Sequence, residues 1–463
     1  MLHVVCPNSN LPERRYVLDV VLDHWLGLPY EIVGHRRDGW VTISEPSTGS
    51  ELCLADDVLG SDDLSDLPSM ETIDGWMASG ALADRGLPVP DEVAVLWHRT
   101  APPSIVDVAS GVTTIGFDLL GTVFAVVSGL AELAIGERDV HGRVPMRSTL
   151  LARRGLTGRP VVDELVALLD AALVDLWPRL PRRRWEFVVR PTHDIDRLSR
   201  YGPSWSTAPL ALASELRRKG PRRAVSATRQ AVAVRLGRAR DPYDTFDSIM
   251  DASERAGVAS SFFFISRYQP SDGTRVSRYD LADPELGAVL RSLDERGHTI
   301  GLHPGYRSFG DVAALRADVA ALREATVAAD VTLDAVGGRH HYLRWDPASS
   351  PGAWQQAGLV HDSTVGYAEA PGFRAGTSRP YPLWDHHRRR ATAVEERPLL
   401  WMDTSVVAAP GGLSSEDVIR SALDLRSQCR RHGGSFTFLV HNDGYAAPGG
   451  AAVYRLLLEG GTG

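Results

Sequence analysis

The hydrophobic and polar positions of this chain change their rhythm near residue 184. Before it, apolar residues at Tyr16, Val20, Leu22 and Trp25 recur at helical intervals over 11–30, with Gly27 as the stop. Short alternating runs follow, Glu31-Ile-Val33 and Gly39-Trp-Val-Thr-Ile43, which predict a small sheet. The stretch 60–110 is rich in Asp, Pro and Gly and reads as loops with short strands. The apolar run from Ile115 to Ile135 carries Asp118 and Glu132, so it reads as a buried globular segment, too polar for a membrane span. A connector, Gly136 to Pro145, leads to a helical pattern from Val161 to Leu176.

After residue 184 strand and helix patterns alternate, which is the signature of βα units. The run Trp185-Glu-Phe-Val-Val189 predicts a strand, followed by an Arg/Ala-rich insertion at about 199–240. A helix opened by Asp244-Thr245 ends at Gly257, and Ser260 to Ile265 is a continuous apolar run of the kind buried on both faces. Asp283-Pro284 opens another helix by N-cap and first-turn rules. Strands are expected at Thr299 to His303, up to Gly337–Tyr342, at Leu359 to Asp362 and at Ser435 to His441. Helices are expected through Leu315 to Leu322, around Trp354 and from Ser415 to His432. The expected class is α/β: a mixed α/β domain at 1–183 and a barrel-like array of parallel strands at 184–463.

Composition narrows this little. With 463 residues, 43% hydrophobic and 23% charged, the chain is an ordinary globular one with room for a sizeable core. A net charge of −8 gives no global reason to expect nucleic acid, and the basic runs Arg217 to Arg223 and Arg235 to Arg240 read as a solvated insertion. Three scattered cysteines, Cys6, Cys53 and Cys429, suggest a reducing compartment and no thiolate metal site. The N-terminus shows no basic region followed by a long apolar one, so the expected location is cytoplasmic.

The chemistry concentrates at the ends of the expected strands. Asp194 and Asp196 in Arg190-Pro-Thr-His-Asp-Ile-Asp196 share one face of an extended segment, with His193 opposed. Two carboxylates on one face repel each other, which is tolerable where one binds a cation or where the pair divides acid and base work. His303, Arg339 and His341, Asp362 and His441 fall at other strand ends, and parallel strands of a barrel open their C-terminal ends onto one face. Asp and His donors with an open position suit Zn²⁺ or another first-row divalent ion.

In order along the chain, Thr192-His-Asp-Ile-Asp196, Ser261-Phe-Phe-Phe-Ile265, Gly297-His-Thr-Ile-Gly-Leu-His303, Gly338-Arg-His-His-Tyr-Leu-Arg344, Tyr367 through Gly376-Thr377, and Phe438-Leu-Val-His441 resemble the motifs of the NodB-like polysaccharide deacetylases. The branch most resembled has a first motif reading T-H-D-x-D. The resemblance covers about 185–445. Phe117-Asp-Leu-Leu-Gly121, Arg138 to Arg143 and Arg159 to Glu164 resemble a poorly characterised domain often fused ahead of that branch.

The resemblance implies a distorted (β/α) barrel and a carbohydrate deacetylase, a hydrolase of non-peptide C–N bonds that removes an N-acetyl group from an amino sugar. It implies Asp194 as general base, Arg339 as the residue orienting it, Asp362 as the acidic residue of the fourth motif and His441 as general acid. Asp196 and His303 match metal ligands, with Zn²⁺ the expected ion and Co²⁺, Mn²⁺ or Ni²⁺ the substitutes. The family's second motif has a further histidine four residues on, whereas Arg307 stands here. His341, Ser308 or water can complete the shell; otherwise the ion is weakly held or absent. His298 starts its strand, away from the rim. Of the adjacent pair His340 and His341, one faces the site if the segment is extended.

Tyr342, Arg344, Arg374 and Trp384 are candidates for sugar hydroxyls or a phosphate, or else braces of the rim. His361, His386, His387 and His432 read as surface residues. The expected partner is a small or carrier-linked N-acetylated sugar, with no nucleic acid and no membrane span. The rival readings are a hydrolase of another amide or cyclic imide on the same barrel, and a catalytically inactive barrel that binds glycan or acts as a scaffold.

Overall fold

Two sheets organise the chain, and both are assembled from short strands whose apolar positions meet in a shared core. The structure, a computed structural model, describes residues 1–36, 38–61, 111–201, 221–267, 283–407 and 415–460, with short stretches within 64–109 and 279–281 and residue 412.

The first sheet comprises β1 (Leu2–Cys6), β2 (Tyr30–His35), β3 (Trp40–Ser44), β4 (Glu51–Ala55), β7 (Val106–Ala109) and β8 (Val112–Ile115) in the order β2-β1-β3-β4-β8-β7. A separate two-stranded ladder pairs β5 (Gly75–Ala78) with β6 (Glu92–Val95). Much of 60–110, expected as loops with short strands, lies outside the described residues. The helical pattern at 11–30 becomes an α-helix over Leu11–Leu18 that widens into a π-helix over Asp19–Trp25. Asp118 caps the helix Leu119–Val127 by accepting the Gly121 amide. The helix Val161–Leu176 forms over the range its periodicity indicates.

The second sheet is parallel where it matters for the site. Its strands β9 (Val188–Ile195), β10 (Ser261–Phe264), β11 (Thr299–Leu302), β15 (Trp401–Met402) and β16 (Ser435–Leu439) run in the order β11-β10-β9-β16-β15. Every described pair among them is parallel. Residues of β16 are buried throughout, as expected for a strand covered on both faces. Helices Phe246–Arg255, Pro284–Glu295, Val312–Ala328 and Glu416–Arg431 alternate with these strands. Asp283, Asp311 and Ser415 cap three of them through side-chain oxygens. Gly297, at φ +74°, turns the chain from helix into β11.

Beyond β11 the ladder continues in fragments. Gly338 forms parallel bridges to Leu302 and to Asp362, so it links β11 to β12 (His361–Asp362). β12 pairs with β14 (Arg390–Glu396), which forms an antiparallel hairpin with β13 (Tyr381–Asp385). The Arg397 and Leu399 amides donate to the Asp362 and Val365 carbonyls, and the Leu400 amide donates to Thr437 of β16.

Several expectations shift. The first strand runs eight residues to Ile195, later than the run at 185–189 indicates. Gly337–Tyr342 is no strand: after Gly338 the chain bends into a 3₁₀ turn at His341–Leu343. The side chains of the basic run Arg217 to Arg223 lie outside the described residues, and in the second run Arg235 donates to the Tyr201 carbonyl while Arg240 pairs with Asp247.

The N-terminal and C-terminal parts interlock. The Tyr16 hydroxyl donates to the Pro382 carbonyl at 2.7 Å and the Trp25 indole to that of Pro380 at 2.8 Å. Trp384, a candidate from the sequence for sugar contact or for bracing the rim, is instead buried between Tyr16 and Phe124. Buried Asp163 accepts the Thr377 hydroxyl and both the amide and hydroxyl of Ser378. Among the described residues no helix is long and apolar enough to cross a membrane.

Candidate metal centre and its flanking groups

The strand β9 delivers its carboxylates by simple alternation. His193 turns into the core, where its ring nitrogens meet the Val440 carbonyl and the Tyr454 hydroxyl. Asp194 and Asp196 turn the other way, toward the residue that follows β11.

That residue, His303, is oriented by its backbone surroundings. Its Nδ1 lies 2.6 Å from the Arg339 carbonyl, and a carbonyl only accepts, so a proton sits on Nδ1 and in the neutral ring Nε2 presents its lone pair. Burial opposes the charged form, but Asp194 and Asp196 outweigh it and raise the ring above the usual histidine value. Nε2 is 3.4 Å from Asp196 Oδ1 and 3.9 Å from Asp194 Oδ2. His341, at the start of the 3₁₀ turn, brings its own Nε2 to 3.5 Å from the same Asp196 oxygen. Donor atoms of Asp196, His303 and His341 all lie within 4.8 Å of one another.

This trio fits a divalent ion. In a tetrahedral site with bonds of about 2.0–2.1 Å, neighbouring donor atoms stand roughly 3.4 Å apart. Asp196 Oδ1 is buried yet has no hydrogen-bond partner, an orphaned acceptor facing two imidazole nitrogens. Burial opposes the charged form of Asp196, but the His341, His303 and His441 rings outweigh it and hold the carboxyl well below the usual range. Burial drives His341 down to about 4 against the pull of Asp196, which keeps that ring neutral and able to ligate.

Two arms flank the trio. On one side Asp194 Oδ1 accepts Arg339 Nη1 at 2.9 Å. Arg339 is fully buried, and Thr192 and Ser363 take its remaining described bonds while its plane lies over the Phe263 ring. On the other side His441 stands at the end of β16 with Nε2 3.9 Å from Asp196 Oδ2. Asp403 grips it twice, accepting the His441 amide at 2.9 Å and Nδ1 at 2.7 Å. Burial works against a charged His441, but the Asp403 carboxylate and its hydrogen bond, with Asp196 and Asp194, raise it to about 10. At neutral pH it therefore carries a proton to give.

The remaining candidates fall elsewhere. Asp362 is buried beside this group, where it accepts the Thr364 amide and hydroxyl; burial raises its carboxyl and, together with the Asp362 charge, that of Glu396. Arg374 is buried and paired with Glu132 at 2.7 Å, with a further bond to the Gly366 carbonyl. Arg344 donates to the His141 and Tyr306 carbonyls and stacks over Tyr306 and Phe309, so it braces the rim. Tyr342 packs against His341 at 4.3 Å between ring centres. Ser308 is bonded to Asp318, His298 meets Ser260 and Glu254 at the opposite strand end, and His340 packs between Phe309 and Trp354. His361, expected at the surface, is buried at β12, and His386 is half-buried against Ser128.

Asp403 and Glu396 escaped the sequence reading. Asp403 closes the short apolar run Leu399 to Met402, the same strand-end signal that marked His441.

A sequence-family model described as a family of unknown function, DUF7033, matches residues 2–178. No curated protein matches the chain. Among solved structures, one described as a polysaccharide deacetylase from Mycobacterium smegmatis is 18% identical, with 59% of this chain and 83% of that one covered at a TM-score of 0.38. A family 4 carbohydrate esterase from Streptomyces lividans in complex with acetate is 13% identical, with 60% and 88% covered at a TM-score of 0.28. Both likenesses are too distant to bear on the chemistry of this chain.

Proposed function

We propose that the chain is a metal-dependent hydrolase that removes an N-acetyl group from an amino sugar, small or carrier-linked. The observation that carries the reading is the meeting of Asp196, His303 and His341 around one orphaned oxygen, with an Arg-held carboxylate on one flank and an Asp-held imidazole on the other. The ordered motifs from Thr192 to His441 supply the amino-sugar part of the proposal.

In this reading Asp196, His303 and His341 hold the ion, and His341 takes the place left by Arg307. A divalent ion so held supplies Lewis-acid polarisation of the amide carbonyl and makes water more acidic. Asp194 accepts the proton of the attacking water, its Oδ1 fixed by Arg339 so that Oδ2 faces the reaction. His441 donates from Nε2 to the departing amine, while Asp403 holds the ring and stabilises its charge. The domain division at about residue 183 and the distorted barrel belong to the same proposal. The ladder from β16 through β9, β10, β11, Gly338 and β12 to residues 395–400, and from there back to β16, supports the barrel. The cysteines are unpaired, which supports a reducing compartment.

The test is metal analysis of the purified protein together with acetate release from N-acetylated amino sugars and from simple amides. We expect near-stoichiometric divalent metal that Asp196→Ala and His303→Ala both lose, and turnover confined to the sugars. If both variants hold as much metal as the parent, the ligand assignment is wrong. Metal without any turnover points to an inactive binding barrel.

A further inference from the structure

Resting on that metal-site reading, we propose that the loop Asp139–Arg143 of the N-terminal segment is a clamp that sets the third ligand. His141 and Arg143 act in it as positioning residues for His341. His341 is the ligand with the least support of its own. Metal-bound histidines generally donate their second ring N–H to a fixed acceptor. His303 does so, but Nδ1 of His341 is buried without a hydrogen-bond partner. Its ring orientation therefore comes from packing, against His303 at 4.9 Å and Tyr342 at 4.3 Å.

The backbone under it is also costly to hold. Tyr342 and Leu343 sit in succession at φ 61° and 52°, a left-handed conformation that residues with bulky side chains avoid. Such a turn persists where its surroundings over-determine it. Here the surroundings come from the other half of the chain. Arg143 Nη1 donates to the Tyr342 carbonyl at 2.6 Å, and Arg344, at the far end of the turn, donates to the His141 carbonyl at 2.8 Å. The His141 ring lies nearly parallel to that of Tyr342, centres 4.3 Å apart, so His141, Tyr342, His341 and His303 form one chain of aromatic contacts ending at the candidate ligands.

The clamp is itself pre-formed. Asp139 accepts the amides of His141 and Arg143 and pairs with the Arg143 guanidinium at 2.6 Å. A loop fixed in this way can hold a strained turn where a mobile one would follow it. This gives the N-terminal segment a part in the chemistry, and explains how a histidine outside the usual second-motif position can complete the shell.

The test is Co²⁺ binding to the metal-free full chain, read by affinity in competition with a chromophoric chelator and by the visible absorption band. We expect His141→Ala and Arg143→Gln to weaken Co²⁺ binding roughly 10–100-fold and to reduce or shift the band. His141→Phe, which keeps the ring stack, stays within a few-fold of the parent by the same logic. Thermal unfolding of the metal-free variants separates this from general damage. Should either variant fail to fold, His141→Leu against His141→Phe makes the same comparison, with Leu expected to lose affinity and Phe to keep it. Parent-like affinity and band in His141→Ala and Arg143→Gln (or in His141→Leu), alongside loss in His303→Ala, would overturn the clamp and leave the metal site standing. Parent-like binding in His303→Ala would instead sink the metal-site reading itself.

Discussion

Asp194 and Asp196 are one residue apart and differ in what reaches them. Arg339 reaches the first, three imidazoles surround the second, and the division follows from strand alternation plus the residues that neighbouring strand ends supply. The same logic applies to His441, whose protonated form is favoured chiefly by Asp403 behind it, with Asp196 and Asp194 adding to the pull. Replacing Asp403 with Asn keeps the size and removes the charge that stabilises the imidazolium. We expect Asp403→Asn to lower kcat at neutral pH by roughly 10-fold or more with little change in KM, because less of His441 then carries the proton it has to donate. Steady-state kinetics on the deacetylation substrate decide it; an unchanged kcat would remove Asp403 from the acid arm.

At the scale of elements, the site depends on a short junction, Val336 to Arg339, that joins two halves of the ladder. Gly338 bridges β11 and β12, and a Cβ placed on it would lie 1.8 Å from the Leu302 carbonyl oxygen. Backbone cannot yield there as a side-chain tip can, so Gly338→Ala should destabilise by roughly 3 kcal/mol or more. Denaturant unfolding measures this, and a loss well under 1 kcal/mol would mean that the bridge is pliable. The sequence could not announce such a contact. It could announce the helices Val161–Leu176, Pro284–Glu295 and Glu416–Arg431, because their apolar spacing and, in the last two, their cap residues are local signals. It also exposed most of the candidate site, because strand ends with Asp, His and Arg recur. The hairpin β13–β14 carried no such signal, because Pro382 and the run Arg388-Arg389-Arg390 interrupt its apolar alternation. Arg344 and Arg374 looked like ligand-binding cations for the same reason that His141 went unnoticed: their partners lie far away in sequence, and only folding brings them together.

At the scale of the whole molecule, buried polar residues tie the two parts together and set how the protein responds to acid. Asp163 takes bonds from Thr377 and Ser378 in a site closed to water. Asp163→Ala strands the Ser378 amide and hydroxyl there, with an expected loss of about 2–4 kcal/mol in denaturant unfolding. His193 and His361 give the pH dependence its sign. Burial lowers both to about 3, so each is neutral in the folded protein and free to protonate once unfolded. Their contribution is fully present above the ordinary histidine pKa near 6.5 and is lost as pH falls from there toward 3. Between pH 6.5 and pH 5 each therefore removes about 2 kcal/mol of unfolding free energy, at ~1.4 kcal/mol per unit. His361→Asn lowers stability at neutral pH by breaking the packing around the ring, and that loss alone says nothing about titration. The slope does: denaturant unfolding of the metal-free protein at pH 7 and pH 5 should show the variant losing about 2 kcal/mol less than the parent over that interval. An identical pH slope in parent and variant would mean that His361 takes up its proton in the folded state as readily as in the unfolded chain.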